Sequence, residues 1–198
     1  ATVNVNLTSR NYEVIPVVIT LTLQKKPTVN DITVSMDGWI YGEEAKKPTH
    51  TVPTGAEVKA TYAAKGTNDF NTTVPTNAGE YTVKVQYETD TEIHTGTANF
   101  TISPKNLQQE MLDRITGDRY YNGTEQTPDV TVTDGEKTLG KDVDYTVSYS
   151  NNINASTPTS QAVATVTGKG NYKGIISTTF VINPVTLSII GEDKMTAT

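Results

Sequence analysis

The amino-acid sequence predicts an all-β protein made of antiparallel β-sandwich domains in tandem. Apolar and polar residues alternate with a period of two, which is the pattern of a half-buried strand. Gly, Asn and Asp cluster between the alternating runs, as tight turns require. The whole pattern then recurs at an offset of 80 residues, which indicates that one structural unit is repeated along the chain.

The repeat is clearest where each unit closes. Three residues of one closing strand recur at this offset: Phe100 and Phe180, Ile102 and Ile182, Pro104 and Pro184. Proline lacks a backbone donor and restrains the residue before it, so each proline ends its strand. We therefore predict one sandwich over 27–104, the first repeat, and another over 105–184, the second repeat. Because the junction between them is short, we expect the two to stand end to end as a rod.

The alternating runs also predict the core of each repeat. They fall at Ile32, Val34 and Met36, at Val58, Ala60 and Tyr62, at Tyr81, Val83 and Val85, at Tyr145, Val147 and Tyr149, and at Ala162, Ala164 and Val166. The stretch NLQQEMLDRI at 106–115 is compatible with a helical turn or with a strand. Its counterpart at 29–36 alternates, and this favours a strand.

The two ends of the chain predict incomplete units. Residues 1–26 contain only the closing strands of a preceding unit. Residues 185–198 are predicted to be the opening strand of a following unit, or a disordered tail. Because an isolated hairpin is marginally stable in water, we expect both ends to be frayed or to pair with a neighbour.

Composition narrows the classes of function. The net charge of −6 and the pI near 4.9 disfavour binding to nucleic acid or to an anionic membrane, both of which need Lys and Arg. The chain has no cysteine, which excludes disulfides and thiolate metal sites. No apolar run approaches the roughly 20 residues that a membrane-spanning helix needs. The acidic charge suits a soluble, externally displayed surface, and the absence of cysteine is compatible with the cytosol as well as with bacterial surface proteins.

Specific motifs add a family resemblance. Residues 120–184 contain, in order, YYNG, VTVTDG, DYTVSYSNN, GKGNYKG and a closing F-x-I. This stretch resembles a repeat found in tandem on bacterial surface proteins. The first unit, from IYGEEAKKP to NFTISP at 40–104, is similar to the YGX-type MBG repeats of large secreted bacterial proteins. The resemblance implies Ig-like sandwiches in an adhesin-like protein that is secreted or attached to the cell surface. Two departures affect only turns: Ser160-Gln161, and the absence of G-x-G-N-Y from the first unit.

No catalytic, cofactor-binding or metal-binding residue is predicted, and the chain is not predicted to be an enzyme. We expect His50 to be half-buried at a sheet edge and His94 to be solvated in a turn. Asp142 and Asp144 are predicted to form a solvated turn before strand 145–149 and not a glycosidase pair. Calcium bound by these two with Asp118 or Asp134 remains an alternative, although no EF-hand spacing supports it.

A crosslink between side chains is a further alternative. Some bacterial Ig-like domains contain Lys–Asn isopeptide bonds, and Lys84 and Asn99 fall on strands that can be neighbours, with Glu80 near in sequence. The interpretation we prefer is that all three side chains point to solvent.

Four aromatic residues form the candidate ligand site: Trp39, Tyr41, Tyr120 and Tyr121. They fall at matching places in the two repeats. If buried, they close the end of each sandwich core, which is the interpretation we prefer because aromatics dominate small cores. If exposed, they offer flat faces on which sugar rings can stack.

The sequence as a whole predicts a non-catalytic spacer or stalk from a secreted or cell-surface bacterial repeat protein. One alternative is a carbohydrate- or matrix-binding module that uses the exposed aromatics. Another is an accessory domain of a secreted enzyme. The expected partners are a host glycan, a matrix protein or neighbouring repeats of the same chain, and no cofactor is predicted.

Overall fold

A computed structural model describes residues 28–186. These residues are all-β, as predicted: they form fourteen strands and a single 3-10 turn, and no α-helix lies among them. The predictions for residues 1–26 and for 187–198 lie outside the described part of the chain.

The strands follow the alternating runs of the sequence. The first repeat contains β1 (Thr28–Asp31), β2 (Val34–Ser35), β3 (Trp39–Ile40), β4 (Thr49–His50), β5 (Lys59–Ala64), β6 (Gly79–Glu88) and β7 (Glu92–Ser103). The second repeat contains β8 (Lys105–Asn106), β9 (Thr133–Asp134), β10 (Lys137–Thr138), β11 (Tyr145–Ser150), β12 (Ala162–Gly168), β13 (Tyr172–Lys173) and β14 (Ile175–Phe180).

The described chain forms two compact units, and the first contains residues 28–36, 47–73 and 82–99. Its strands are ordered β1-β7-β6-β5, and β2 pairs with β4 in a separate two-stranded sheet. Only three residues connect β6 to β7, and so short a connection requires antiparallel neighbours. Val83 and Val85 are fully buried, as the alternating pattern of β6 predicts.

The second compact unit contains 100–186 and two segments from earlier in the chain, 37–46 and 74–81. Its main sheet is antiparallel, with the order β11-β12-β14. Its core includes two groups of buried residues. One comprises Leu107, Met111, Leu112, Val132, Leu139, Tyr145, Val166, Tyr172 and Ile176; the other comprises Ala162, Ala164, Phe180 and Ile182. The repeat limits at 27–104 and 105–184 remain a prediction, since this unit takes residues from both repeats.

The predicted antiparallel pairing is wrong at three places. Strands β1 and β3 both pair with β7 in parallel, and β8 pairs with β13 in parallel. Parallel neighbours need a connection of a dozen or more residues, and long stretches of chain do separate the members of each pair. Alternation reports which face of a strand is buried and gives no information on the direction of its neighbour.

The strand predicted over 106–115 is also wrong for most of its length. Strand β8 ends at Asn106, and Gln109–Met111 forms the 3-10 turn. Met111 and Leu112 are both buried although they are adjacent in sequence. A strand would place them on opposite faces, whereas a tight turn directs both into the core.

The backbone reproduces the sequence repeat. In the first repeat, the backbone N–H of Thr51 donates to the carbonyl of Thr33 over 3.1 Å. At the positions 80 residues later, the N–H of Asp113 donates to the carbonyl of Thr131, also over 3.1 Å. The same two positions are therefore joined in both repeats, although the donor and the acceptor are exchanged.

Candidate functional site

Trp39 is buried and closes part of the core, as predicted. Its side chain is only 6% exposed. The indole stacks on the ring of Phe100, with centroids 5.2 Å apart and planes 17° apart. Strand β3 holds it there by pairing with Ile102 of β7. Trp39 is therefore not accessible for stacking on a sugar.

In the second repeat, Arg119 occupies the position that corresponds to Trp39. Its guanidinium carbon lies 5.7 Å from the ring centroid of Phe180, the residue that corresponds to Phe100. The same guanidinium donates to the carbonyls of Thr116 and Gly117 over 2.9 and 2.8 Å. A cation therefore covers the phenylalanine that an indole covers in the first repeat. Sequence reasoning missed Arg119, although the offset of 80 aligns it with Trp39.

Tyr120 and Tyr121 are exposed, so the preferred prediction that they close the core is wrong. Their exposed fractions are 57% and 44%. A parallel bridge joins Tyr120 to Asn183, and the N–H of Tyr121 donates to the carbonyl of Asn183 over 2.9 Å. The backbone is thus fixed, while both rings face outward because Arg119 takes the place beside the core.

Tyr41 has a third environment. It is half-buried and packs against the core of the second compact unit. Its ring meets the ring of Tyr172 edge to face, with centroids 5.5 Å apart. Lys137 donates to its hydroxyl over 3.2 Å. The four predicted aromatics therefore have different surroundings: one is buried, one is half-buried and two are exposed.

A polar network lies beside Tyr172. The Lys105 ammonium donates to both carboxylate oxygens of Asp134, over 2.6 and 2.8 Å, and the Tyr172 hydroxyl donates to one of them over 3.1 Å. Burial alone would raise the pKa of Asp134, but the hydrogen bonds from Lys105 and Tyr172 outweigh it and hold the pKa below its usual value. Burial and the neighbouring Asp134 carboxylate raise the pKa of Tyr172. Asp134 is therefore engaged in a structural network.

Asp144 is buried, whereas a solvated turn was predicted. It is 8% exposed, and its carboxylate accepts the backbone N–H of Gly140 over 3.0 Å. Lys137 lies 3.7 Å from the same oxygen. Asp142 is exposed in a turn with φ of 65°, as the prediction for it requires. Within residues 28–186, no three His, Asp or Glu side chains are grouped so as to hold a metal ion, and the calcium alternative gains no support there.

Both predictions for histidine need correction. His50 is exposed on β4 and not half-buried. His94 lies in β7 and not in a turn, and its ring stacks on Tyr87 with centroids 4.4 Å apart. Its Nε2 lies 3.1 Å from the Glu92 carboxylate. The described contacts of His94 are with an aromatic ring and a carboxylate, and neither places a serine or threonine hydroxyl beside it.

The residues of the isopeptide alternative make other contacts. The Lys84 ammonium lies over the ring of Phe70, 4.6 Å from its centroid. The Asn99 amide oxygen accepts a hydrogen bond from the Thr82 hydroxyl over 2.8 Å. Glu80 is exposed. These contacts provide no support for a crosslink between Lys84 and Asn99.

One of the exposed tyrosines, Tyr121, lines an apolar depression. Tyr121, Asn122, Ala155, Pro184 and Val185 line a surface hollow of about 530 Å³. We call these five residues the Tyr121 surface. Val185 is itself exposed although it is apolar. Sequence reasoning named Tyr121 for this region but missed Ala155 and Val185, which no motif singles out.

Comparison with known proteins adds no relative. No family model, no curated protein and no solved structure matches this chain. The resemblance to bacterial surface repeats therefore rests on its motifs and remains a proposal. Within residues 28–186, nothing helical is long and apolar enough to cross a bilayer.

Proposed function

We propose that this chain is a segment of tandem Ig-like sandwiches that serves as a non-catalytic spacer or stalk in a secreted or cell-surface bacterial repeat protein. The repeated backbone bond next to the closing strand is the main support. The N–H of Tyr41 donates to the carbonyl of Ser103 over 2.8 Å, and that of Tyr121 to the carbonyl of Asn183 over 2.9 Å. The scaffold recurs at matched positions while the side chains beside it change.

The use of the polar side chains also supports a structural role. Asp134 accepts hydrogen bonds from Lys105 and Tyr172, and the buried Asp144 accepts the backbone N–H of Gly140. Both repeats contain fully buried apolar residues, Val83 and Val85 in the first and Ala162, Ala164 and Val166 in the second, so adding repeats adds length without requiring new chemistry. The longest strand, β7, has 12 residues, which corresponds to about 40 Å of reach.

Single-molecule pulling of the full chain tests this proposal. Each repeat should unfold in its own event and release about 26–29 nm of chain, because 80 extended residues span that length. A single event that releases the whole folded length would contradict a string of separate mechanical elements. A chain in which residues 105–184 occur twice provides the matched control and should add one event of the same size.

A second candidate function is glycan or matrix binding through Tyr120 and Tyr121. The exposure of these neighbouring rings favours it, since exposed aromatic faces can stack on sugar rings. The measurement is binding of the full chain to immobilised glycans and matrix proteins. Binding that Tyr120→Ala or Tyr121→Ala abolishes and that the buried Trp39→Phe retains would support this function. No binding by the unaltered chain would rule it out.

A further inference from the structure

The first repeat contacts the turn Gly168–Gly174 of the second repeat, and these contacts show how one repeat can bind the next. Inside the second compact unit, the Asn171 amide oxygen accepts the backbone N–H of Ala78 over 2.7 Å. The Asn171 amide nitrogen donates to the side chain of Asn77 over 3.1 Å. Next to these bonds, the ring of Tyr41 packs against Tyr172. Residues of one repeat are thus bound by a single turn of the next.

The sequence of this turn explains how it presents the two residues that make these contacts. Gly170 and Gly174 have φ of 65° and 91°, values that residues other than glycine rarely adopt. A Cβ on Gly168 would lie 2.7 Å from the backbone of Lys173, so the turn also requires close approach. The G-x-G-N-Y-x-G motif therefore holds Asn171 and Tyr172 in place for binding.

Tyr121 makes the same backbone hydrogen bond as Tyr41, but its ring is more exposed than the ring of Tyr41. Both residues donate a backbone hydrogen bond to the residue that precedes the closing proline, Ser103 in one repeat and Asn183 in the other. Tyr41 is half-buried by Tyr172 and Lys137, whereas Tyr121 is 44% exposed. Among residues 28–186, the ring of Tyr121 therefore lies at an exposed apolar surface, whereas the ring of Tyr41 packs on a turn.

We infer that the Tyr121 surface binds the Asn-Tyr turn of a further repeat of the 105–184 kind. The inference rests on the proposed function, because it requires that such repeats follow one another. The ring of Tyr121 would pack on the tyrosine that corresponds to Tyr172, and the lysine that corresponds to Lys137 would donate to its hydroxyl. A glycan is a poorer fit because three of the five lining residues are apolar, and the amide oxygen of Asn122 already accepts hydrogen bonds from Thr124 and Gln126.

A lengthened chain tests this contact directly. The full chain is compared with a form in which a second copy of 105–184 follows Pro184, so that Pro184-Lys105 reproduces the natural Pro104-Lys105 junction. The second copy carries Tyr120→Phe and Tyr121→Phe so that the peptide containing these two tyrosines is unique. Both chains are treated with tetranitromethane, and nitration at Tyr120 and Tyr121 of the first copy is quantified by mass spectrometry. If the second copy covers Tyr121 about 90% of the time, its nitration slows about tenfold, because the rate scales with the uncovered fraction.

Tyr120 provides the internal control. It corresponds to Ile40, which stays exposed although its neighbour Tyr41 is covered. Nitration of Tyr120 should therefore be equal in the two chains. Asn171→Ala and Lys137→Ala in the second copy alone should restore the reactivity of Tyr121. Both side chains bind across the junction, although Lys137 also lies near Tyr172 and Asp144, so circular dichroism must show that the altered copy folds.

Each outcome has a definite meaning. Equal nitration of Tyr121 in both chains would overturn the inference, and the spacer proposal would survive if pulling still showed one added unfolding event. Protection of Tyr120 and Tyr121 together, or protection that Asn171→Ala and Lys137→Ala do not reverse, would also overturn it. Protection in the unaltered chain that grows with protein concentration would indicate self-association, and protection by added glycan would indicate a sugar site. Either result would contradict binding of a following repeat.

Discussion

The two repeats close their cores with different side chains on the same backbone. In the first, Trp39 stacks on Phe100; in the second, Arg119 lies over Phe180. The phenylalanine and the hydrogen bonds of the strand are kept, while an indole is exchanged for a guanidinium. The comparison shows that the strand pairing and the buried ring define the repeat, and that the residue covering the ring is replaceable.

The two tyrosines that follow these residues show a second difference. Tyr41 is half-buried and Tyr121 is exposed, although their backbone bonds match. Local sequence does not account for this, because each tyrosine follows a residue paired in parallel at matching positions, Ile40 with Ser103 and Tyr120 with Asn183. The difference lies in what packs on each ring, and for Tyr41 that is Tyr172 of the next repeat.

The largest expected effect comes from placing a charged residue in the buried face of either sheet, since this should unfold one sheet and leave the other intact. Val85 and Val166 are fully buried at matching places in β6 and β12. An unpaired carboxylate at either site should abolish the local sheet, at a cost of about 4 kcal/mol or more. We expect Val166→Asp to remove amide protection from β11, β12 and β14 while β5 and β6 keep theirs, and Val85→Asp to do the reverse.

Hydrogen exchange followed by NMR measures both results. Thr167→Asp, at an exposed position of β12, is the matched control and should change little. Loss of protection in both groups of strands from one substitution would show that the two groups unfold as one.

Truncation of Trp39 and Arg119, which cover the two phenylalanines, should lower the stability of the two repeats by different amounts. Trp39→Ala removes a buried aromatic and should lower the free energy of unfolding by about 3–5 kcal/mol. Arg119→Ala removes a half-buried cation from an aromatic face and should cost about 1 kcal/mol. Urea denaturation monitored by the exchange of amides near Ile102 and Ile182 gives both values. Equal losses would show that the guanidinium covers its ring as effectively as the indole does.

Substitution of the residue before each covering side chain should give a smaller difference between the repeats in the free energy of unfolding. A Cβ at Gly38 would lie 2.3 Å from the carbonyl oxygen of Thr101, whereas the corresponding Asp118 already has a side chain and is exposed. We expect Gly38→Ala to cost about 1–3 kcal/mol through overpacking. Asp118→Ala should stay within about 0.5 kcal/mol of the unaltered chain. Thermal denaturation of the two variants is the measurement, and a harmless Gly38→Ala would show that the strands can separate there.

Acid should lower the stability of the second repeat because it protonates Asp134. Because the pKa of this carboxyl is lower in the folded chain than in the unfolded one, its stabilising contribution is present above the unfolded pKa of about 4 and is lost as pH falls through the folded pKa. We expect the step to be about 1 kcal/mol, since Lys105 is partly exposed and its bond is screened by solvent.

The measurement is the free energy of unfolding by urea between neutral pH and acid. Asp134→Asn should lack this step, whereas Asp113→Asn, at an exposed position, should keep it. An identical acid profile for Asp134→Asn and the unaltered chain would contradict the role of the Lys105–Asp134–Tyr172 network.

The sequence predicted the parts of the fold that depend on local patterns. A period of two placed Val83 and Val85 inside one sheet and Ala162, Ala164 and Val166 inside another, because alternation directly reports the buried face. It did not predict the parallel pairs, which depend on contacts between distant residues. It also missed the 3-10 turn, since the adjacent buried Met111 and Leu112 match no simple period.

The candidate site was predicted less well. The aromatic pattern identified Trp39 and Tyr41 correctly as packed residues but grouped Tyr120 and Tyr121 with them. Arg119 was missed because hydrophobic patterning does not score a guanidinium as part of a core. The surroundings of Tyr41 depend on Asn171 and Tyr172, more than a hundred residues away, and no local rule connects these positions.

The parallel pairing of β8 with β13 has a mechanical consequence. The strand that opens the second repeat lies beside the segment that leads into its closing strand, and both run in the same direction. Tension on the two ends of the repeat would slide them past each other lengthwise. The hydrogen bonds from Lys105 to Asn171 and from Leu107 to Lys173 would then be loaded in shear and would break together. The hydrogen bonds of a hairpin pulled apart at its open end break one after another.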